Sequence, residues 1–269
     1  MSAADPQGSV VIITGSSRGI GLETARLYLH HGHRVVLNGR DPQRLTKAQA
    51  QLDPDGARTL VVAGDVTDSA DVRRLVEATV ERWGRIDVLI CNAGLMMRGP
   101  FSELSAAVAE RIMRVNVLGV TLPIVQALPE ITKQGGSIEI ISSLAGIRGM
   151  PHISLYCASK MALTAIAESL WVELTGTGVH VGILYVGITE NDPEKTLLSA
   201  DGRDIKVKRS SHSTQQQVAA AVHRQVSRRK RRVVMTPAGK ALAFLQWLMP
   251  GVLTAIIARA QKTSTQMAS

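Results

Sequence analysis

The sequence predicts a single doubly wound α/β domain with a mostly parallel sheet and a C-terminal helical extension. Short apolar runs rich in β-branched residues alternate with longer amphipathic segments. Such unbroken runs are typical of parallel strands that helices cover on both faces. At 269 residues and 45% hydrophobic content, the chain is also long enough to bury a sizeable core.

Predicted strands and helices alternate along most of the chain. The strands cover residues 10–14, 34–38, 58–64, 86–93, 137–142 and 179–185. The helices between them cover residues 19–31, 41–52, 69–83, 103–133 and 153–175. A capped helix at 213–226 and a last strand at 231–237 complete a domain predicted to span residues 1–237, and an apolar helical tail, residues 238–269, follows. Right-handed crossovers should connect the strands.

The first strand runs directly into TGSSRGIG, residues 14–21, which opens a helix. Its three glycines would allow a tight turn, close approach of a pyrophosphate, and packing of the helix on the strand, while the helix N-terminus favours an anion. Because the glycines follow a strand and begin the first βα unit, they predict a Rossmann-type dinucleotide site rather than a plain glycine-rich turn. The loop residues predicted to contact the cofactor are Gly15, Ser17, Arg18, Gly19, Ile20 and Gly21.

The second strand ends in LNGR, residues 37–40, and its composition bears on cofactor choice. In this type of fold an acidic residue at the strand end specifies NAD, whereas a nearby arginine accommodates the 2′-phosphate of NADP. Here the strand ends in Asn38 and Arg40, no acid occurs before Asp41, and Arg18 adds a second cation. We therefore expect NADP(H) as the cofactor, with Asn38 and Arg40 in contact with it; the alternative for each arginine is an ordinary solvated side chain.

The segment SLYCASKMAL, residues 154–163, places Tyr156 and Lys160 four positions apart without a helix breaker. On a helix these two side chains lie on one face. A nearby ammonium stabilises a phenolate and brings the tyrosine pKa from about 10 toward neutrality, which suits acid–base catalysis. The same pair also occurs by chance on helix surfaces, so further motifs must decide.

Those further motifs occur in order: CNAG at 91–94, two serines at 142–143, and YCASK at 156–160. Together with the glycine loop, they make residues 8–195 resemble the short-chain dehydrogenase/reductase family. The resemblance implies a Rossmann fold, a nicotinamide cofactor, and interconversion of an alcohol and a carbonyl compound. It also implies cofactor contacts from Asp65, Val66, Asn92, Ala93, Gly94, Tyr156 and Lys160.

The catalytic set implied by the resemblance is Asn116, Ser143, Tyr156 and Lys160. In that family the tyrosine is the general acid or base, and the lysine lowers its pKa and bonds the nicotinamide ribose. The matching serine, Ser143, would hold the substrate oxygen. Asn116 would support a water that links Lys160 to solvent.

The chain departs from the family pattern after the sixth strand, in YVGITENDPEK, residues 185–195. Val186 replaces the usual proline, and Asn191 occupies the most common position of a threonine that contacts the nicotinamide carboxamide. Thr189, or the backbone of Ile188, could provide that contact instead. Losing the proline frees φ at this position but does not prevent cofactor binding.

The net charge of +9 is concentrated near the C-terminus, since residues 1–199 hold 18 Lys/Arg and 20 Asp/Glu, whereas residues 200–269 hold 13 and 2. RRKRR, residues 228–232, precedes an apolar run at 241–258 that Pro250 and Gly251 interrupt. Two short helices are therefore expected rather than one membrane span. Basic residues beside an apolar helix indicate contact with an anionic membrane surface; the alternative is packing over the pocket or between subunits. Nucleic-acid binding is not expected, because only 3% of residues are aromatic.

Cysteine and histidine usage excludes several classes of protein. Cys91 and Cys157 are too few for a disulfide framework, and the N-terminus lacks a secretory pattern, so we expect a cytoplasmic protein, peripheral at a membrane if the tail binds lipid. The histidines of LHHGHR, residues 29–34, suit a helix C-terminus, and no metal site is expected.

The combined prediction is an NADP(H)-dependent oxidoreductase for a lipophilic secondary alcohol or ketone, steroid- or lipid-like, that forms a homo-oligomer as its family does. The alternative is an NADP-binding sensor or scaffold with little turnover, although a sensor needs no proton donor. Side chains expected near the substrate are Leu95, Met96, Leu144, Ile147, Met150, His152 and Ile153.

Overall fold

The computed structural model describes residues 8–190, 196–206 and 211–266. Seven strands form one sheet in which every pairing is parallel. These strands are β1 (Val10–Ile13), β2 (Arg34–Gly39), β3 (Thr59–Ala63), β4 (Val88–Cys91), β6 (Ser137–Ser143), β7 (His180–Val186) and β10 (Arg232–Val234). Their order across the sheet is β10-β7-β6-β4-β1-β2-β3. The chain thus winds outward from β1 in one direction and then in the other, as the predicted fold class requires.

Helices cover both faces of this sheet, each over its own apolar cluster. The nine α-helices of the described chain are α1 (Gly19–His30), α2 (Pro42–Leu52), α3 (Ser69–Trp83), α4 (Ala106–Met113), α5 (Gly119–Gln134), α6 (Ser154–Glu173), α7 (Gln215–Ser227), α8 (Pro237–Leu248) and α9 (Pro250–Gln266). Side chains of α3, α5 and α6 fill one cluster, and side chains of α1, α2 and α7 fill the other. This arrangement confirms the doubly wound α/β prediction.

The helix predicted over 103–133 is interrupted. A 3₁₀ turn, Phe101–Glu103, precedes α4, and a π-helical turn, Arg114–Leu118, separates α4 from α5. A π turn inserts one extra residue into a helix, a local change that hydrophobic periodicity does not reveal. The run Ala106–Gln134 has the length and hydropathy of a membrane span, with 39% of its most apolar window buried. Because Ile124 and Ile131 of this run lie in the core cluster, we assign it to the helical layer of the domain.

A second, three-stranded sheet lies beside the main one and was not predicted. It joins β5 (Met97–Arg98), β8 (Leu197–Ser199) and β9 (Asp204–Ile205), with β8 paired to both of the others. Strands of two or three residues are too short to show a recognisable alternation of apolar and polar residues. This small sheet brings the segment after β7 over one end of the main sheet.

The tail forms two helices, α8 and α9, which separate at Met249 and Pro250. Thr236 caps α8 by accepting a hydrogen bond from the Gly239 amide at 3.1 Å. A side chain at Gly239 would collide with Leu144, since an added Cβ would lie 2.5 Å from that leucine's Cδ2. The tail therefore begins in direct contact with the segment that follows β6.

Candidate active site

A cleft of about 810 Å³ lies at the carboxyl ends of the parallel strands, where doubly wound folds bind their ligands. It brings together nearly all of the predicted site residues, with Gly21 and Asn116 behind its wall. Those that line it are Gly15, Ser17, Arg18, Gly19, Ile20, Asn38, Arg40, Asp65, Val66, Asn92, Ala93, Gly94, Ser143, Tyr156, Lys160, Ile188 and Thr189. Residues from seven separate stretches of chain thus meet at one edge of the sheet.

The glycine loop between β1 and α1 fits a pyrophosphate for three local reasons. Gly15 and Gly19 have φ angles of 64° and 61°, which other residues rarely adopt. An added Cβ on Gly19 would meet no atom within 4 Å, so its backbone is open to a ligand. The N-cap residue of α1, Arg18, makes no side-chain capping bond, which leaves the first amides of this helix available to an anion.

Gly21 has a packing role instead. A Cβ at this position would lie 2.4 Å from the Gly15 oxygen and 2.7 Å from Asn92 Nδ2. The Asn92 amide in turn donates to the oxygens of Thr14 and Gly15 at 2.9 and 3.0 Å. Gly21 thus lets α1 approach the loop closely while Asn92 fixes the loop from the β4 side.

Replacing Gly21 by alanine should therefore damage both stability and cofactor binding. We expect a loss of about 1–3 kcal/mol in the free energy of unfolding, the usual cost of overpacking, and at least a tenfold loss of nucleotide affinity. Urea unfolding and NADPH fluorescence titration measure the two effects. Gly149→Ala is the matched control because its Cβ would meet no atom within 4 Å and its φ is not positive. Equal behaviour of the two variants would contradict the packing role.

At the adenosine end of the cleft, Asn38 and Arg40 have different environments. The Asn38 side chain is buried and its amide donates to the Val62 oxygen at 3.1 Å. This bond ties β2 to β3, and because Asn38 also lines the cleft, its contact with the cofactor stays a prediction. Arg40 is exposed at the cleft. Asp41 is engaged, since it caps α2 through the Arg44 amide and pairs with the Arg44 guanidinium at 3.1 Å.

Lys160 is a nearly fully buried lysine, which is unusual unless its charge has partners. Its Nζ donates to the Ile141 oxygen at 3.0 Å, and it lies 6.0 Å from the centroid of the Tyr156 ring. Both residues are on α6, one turn apart, and both line the cleft. The structure therefore sets the phenol and the ammonium side by side, as the four-residue spacing predicts.

Asn116 lies in the π turn and is completely buried. Its Oδ1 accepts from the Leu95 amide at 2.7 Å, and its Nδ2 donates to the Leu95 oxygen at 2.9 Å and Ser159 Oγ at 3.0 Å. A Cβ on Gly94 would lie 3.3 Å from Asn116 Oδ1 and 3.6 Å from Lys160 Nζ. The side-chain amide is thus committed to these contacts and holds the strand end beside Lys160.

The two serines at the end of β6 have different environments. Ser142 is buried, and its Oγ donates to the Lys160 oxygen at 3.4 Å. Ser143 is partly exposed in the cleft, and its Oγ accepts from the Ala145 amide at 3.2 Å, which starts the 3₁₀ turn Leu144–Gly146. The acceptor position of Ser143 leaves its hydroxyl hydrogen available to a substrate oxygen, as expected for the second serine.

Thr189 lines the cleft as well, and its Oγ1 contacts Ser213 Oγ at 3.2 Å and the Gly187 oxygen at 3.3 Å. Ile188 lies beside it with an exposed side chain. Asn191, the residue at the usual threonine position, lies outside the described residues. The contact to a carboxamide therefore stays a prediction for Thr189 and Ile188.

The cysteines near the cleft are unsuited to nucleophilic catalysis. Burial raises the pKa of the Cys91 thiol. Burial also raises the pKa of Cys157. Both remain neutral thiols at physiological pH, in agreement with a packing role.

Some cleft residues were missed by the sequence analysis. Arg44 lies in the first turn of α2, three residues after the N-cap Asp41, so the Asp-Pro helix start that follows LNGR could have indicated it. Arg98 and Leu197 come from the small sheet, and no pattern indicates that sheet. The cleft residues that were not predicted are Gly39, Asp41, Arg44, Gly64, Arg98, Val115, Ile141, Ser142, Ala145, Pro151, Val186, Gly187, Glu190, Leu197 and Gln215.

Comparison with known proteins agrees with this geometry. The short chain dehydrogenase family model matches residues 9–202. Dehydrogenase/reductase SDR family member 7B of Danio rerio is 31% identical over 271 residues, covering 95% of this chain and 87% of the relative. An 11-beta-hydroxysteroid dehydrogenase of Pinus massoniana is 35% identical over 190 residues, covering 70% of this chain and 53% of the relative.

A solved structure gives the same result at the level of the fold. The short chain dehydrogenase/reductase of Burkholderia phymatum, in complex with NAD, superposes with a TM-score of 0.80 at 26% identity, covering 91% of this chain and 94% of that chain. Residues 9–202, which the family model matches, contain the glycine loop, the strand-end serines and the Tyr156–Lys160 pair. The chain belongs to the short-chain dehydrogenase/reductase family and is an NAD(P)-dependent oxidoreductase of that type.

Proposed function

We propose that this oxidoreductase uses NADP(H) to interconvert a lipophilic secondary alcohol and the corresponding ketone. The observation that carries the proposal is the buried Lys160 ammonium next to Tyr156 in the cleft that the glycine loop borders. A buried ammonium stabilises the phenolate of a neighbouring tyrosine more than a surface ammonium does, because water screens the charges of a surface pair. Tyr156 can therefore act as the general acid or base of the reaction.

The cofactor, when bound, supplies or accepts the hydride. Tyr156 protonates the carbonyl oxygen in reduction and removes the alcohol proton in oxidation. Lys160 stabilises the phenolate electrostatically because it is held by the Ile141 oxygen within the wall of the cleft. Ser143 donates a hydrogen bond to the substrate oxygen and so orients the reacting carbonyl.

Asn116 acts as a positioning residue in this proposal. Its bonds to Leu95 and Ser159 connect the end of β4, the π turn and α6. These three elements carry Gly94, Asn116 and Lys160, so the amide fixes the lysine relative to the cofactor side of the cleft. This function requires no direct contact between Asn116 and the substrate.

The preference for NADP(H) is supported by charge at the end of β2. Arg40 and Arg18 line the cleft, and the carboxylate of Asp41 is already engaged by α2 and Arg44. An arginine can donate several hydrogen bonds to a 2′-phosphate, whereas the two ribose hydroxyls of NAD need an acceptor. At the end of β2, the cleft therefore offers the cofactor more hydrogen-bond donors than unoccupied hydrogen-bond acceptors.

Arg40→Ala should accordingly weaken NADPH binding about 10- to 100-fold and leave NADH binding within about twofold, because hydrogen bonds to a charged group contribute about 1.5–3 kcal/mol. Fluorescence titration of both nucleotides measures the change. Arg58→Ala is a suitable control, since Arg58 donates to the Leu29 oxygen away from the cleft. Equal losses for the two nucleotides would contradict a role in 2′-phosphate recognition.

The substrate end of the cleft supports a lipophilic substrate. Its walls are mainly aliphatic or thioether side chains, which favour an apolar body over a sugar. These residues are Leu95, Met96, Leu144, Met150, Ile153 and Leu197. The name of the Pinus massoniana relative, an 11-beta-hydroxysteroid dehydrogenase, is consistent with a steroid- or lipid-like compound.

The experiment that tests the proposed reaction is NADPH oxidation against a panel of steroid, alicyclic and long-chain ketones, followed at the nicotinamide absorbance. We expect turnover on apolar ketones and slower turnover on ketoses. Tight NADPH binding with no turnover on the whole panel, and none of the alcohols with NADP⁺, would favour a sensor or scaffold of the same fold instead.

Exposed apolar residues on two helices bear on how the protein assembles. Val125 of α5 and Met161 and Val172 of α6 are exposed by 59%, 45% and 76%. Apolar residues exposed on these two helices fit a subunit interface, and members of this family usually form oligomers. Both cysteines are free and buried, which fits a reducing compartment. We therefore propose a homo-oligomer in the cytoplasm.

A further inference from the structure

The tail concentrates exposed apolar surface. Twelve large hydrophobic residues are exposed among the residues that the structure describes, and six of them fall within residues 244–256. These six are Phe244, Trp247, Leu248, Met249, Val252 and Ile256. We call them the tail patch. A water-soluble domain rarely keeps so much contiguous apolar surface without a partner.

The spacing of the tail patch places it on one stripe of each helix. In α8, Phe244, Trp247 and Leu248 are three or four residues apart, and the exposed Lys240 lies one turn before them. In α9, Val252 and Ile256 are one turn apart. Leu253, by contrast, is buried at 7% exposure and packs inward. Each helix therefore has an inner face and an outer apolar face.

Charge in this region identifies the chemistry of the partner. Residues 205–269 contain twelve Lys/Arg and no Asp/Glu. The basic run at residues 228–232 lies at the amino ends of the strands, away from the tail patch, since Arg229 donates to the oxygens of Gly135 and Gly178. The tail itself, residues 238–269, contains Lys240, Arg259 and Lys262 and no acidic residue. Apolar surface on a segment of net positive charge matches the interface of an anionic bilayer.

The same charge argues against a second copy of the chain as the occupant. Two tails packed face to face would bring together two segments that each hold three Lys/Arg and no acidic residue. Like charges across an interface are unfavourable. A bilayer that contains anionic lipid has no such penalty, so it is the occupant that the observations favour.

The tail patch is connected to the cleft through Arg148. Its guanidinium donates to Gln246 of α8, to Thr254 Oγ1 of α9 at 2.6 Å, and to the Pro250 oxygen at 3.5 Å. Arg148 belongs to the loop between Ser143 and Tyr156, whose residues Leu144 and Met150 line the cleft. The two helices that carry the tail patch are thus hydrogen-bonded to the loop that forms the substrate end of the cleft.

We propose that the α8–α9 hairpin lies on the surface of an anionic lipid bilayer, with the tail patch inserted among the headgroups and acyl chains. This contact holds the substrate end of the cleft near the bilayer. A lipophilic ketone could then enter from the membrane, a step that rests on the proposed function, whereas the docking itself does not.

The test is flotation of the full chain with phosphatidylcholine vesicles, with and without phosphatidylserine. We expect binding that requires phosphatidylserine and weakens as salt is raised. Trp247→Ser should reduce the partition coefficient at least tenfold, because a large aromatic side chain no longer inserts. Phe101→Ser is the matched control, since Phe101 is an aromatic residue outside the tail that is 70% exposed, against 79% for Trp247, and this variant should bind as wild type does.

A second measurement distinguishes insertion from simple charge attraction. Vesicles should shift the tryptophan emission of the wild type to shorter wavelength, and Trp247→Phe should abolish that shift while still floating with the vesicles. No flotation of the folded wild type with phosphatidylserine vesicles would overturn the proposal, as would flotation that Trp247→Ser leaves unchanged. Loss of a dimer in Trp247→Ser, measured by light scattering without vesicles, would instead assign the tail patch to contact between copies. Neither readout needs cofactor or turnover, so docking and the proposed reaction can fail independently.

Discussion

Replacing Tyr156 by phenylalanine should lower kcat by about 10²- to 10⁴-fold, the range that general acid–base catalysis usually contributes. The substitution removes one oxygen and keeps the ring beside Lys160, so NADPH affinity should change by less than about tenfold. Steady-state rates on any ketone that the wild type reduces, together with a fluorescence titration, measure the two quantities. A large loss of rate without a comparable loss of binding is the signature of a proton donor.

Tyr185→Phe is the matched control for this variant. Tyr185 is buried in β7, and its hydroxyl contacts Thr164 Oγ1 at 2.9 Å, away from the cleft lining. Its loss should cost about 1 kcal/mol of stability and leave kcat nearly unchanged. If Tyr156→Phe retained most of its turnover, another group would have to supply the proton.

Substitution of Glu139 by glutamine should change how stability depends on pH. Glu139 is fully buried in the interior strand β6, opposite Gly182 of the neighbouring strand β7, and neither carboxylate oxygen has a hydrogen-bond partner in the described chain. Burial raises its pKa well above the ordinary value of 4.5. The nearby Gln225 amide is occupied by the oxygens of Ile183 and Lys230. The folded protein therefore holds Glu139 as a neutral acid.

The sign of the effect follows from this raised pKa. The unfolded chain releases the proton at lower pH than the folded chain does, so the wild type loses stability as pH rises above about 4.5 toward the folded pKa. The loss relative to Glu139→Gln should approach about 1.4 kcal/mol per pH unit in that window. Urea unfolding of both proteins at a series of pH values gives this difference. A difference that stays constant with pH would show that the folded state accommodates the carboxylate.

The order of strands and helices could be predicted because the main sheet is fully covered. Val10–Ile13 and Val88–Cys91 are buried throughout, and such runs are visible as unbroken apolar segments. The π turn at Asn116 and the small sheet of β5, β8 and β9 could not be predicted in this way. The π turn depends on a single inserted residue, and the small sheet depends on tertiary pairing of very short strands.

The site was predictable to the extent that backbone geometry dictates residue type. Gly15, Gly21 and the Tyr156–Lys160 pair are each required by a turn, a close contact or a helical spacing. Asn38 shows the limit, because its position at the end of a strand does not reveal that its side-chain amide also bonds the neighbouring strand. The relation of Arg148 to α8 and α9 spans about one hundred residues and leaves no pattern in the sequence.

The most direct test of the central claim is the fate of the hydrogen at the nicotinamide C4. The enzyme is incubated with NADPH that carries deuterium at both C4 positions and with the apolar ketone panel, and the products are analysed by mass spectrometry. The proposed reaction predicts one deuterium per product alcohol, bound to the carbinol carbon, and about 10²- to 10⁴-fold less labelled alcohol from Tyr156→Phe over the same time. Bound NADPH with no deuterium in any product would contradict a reductase and leave the fold as a nucleotide-binding protein of another function.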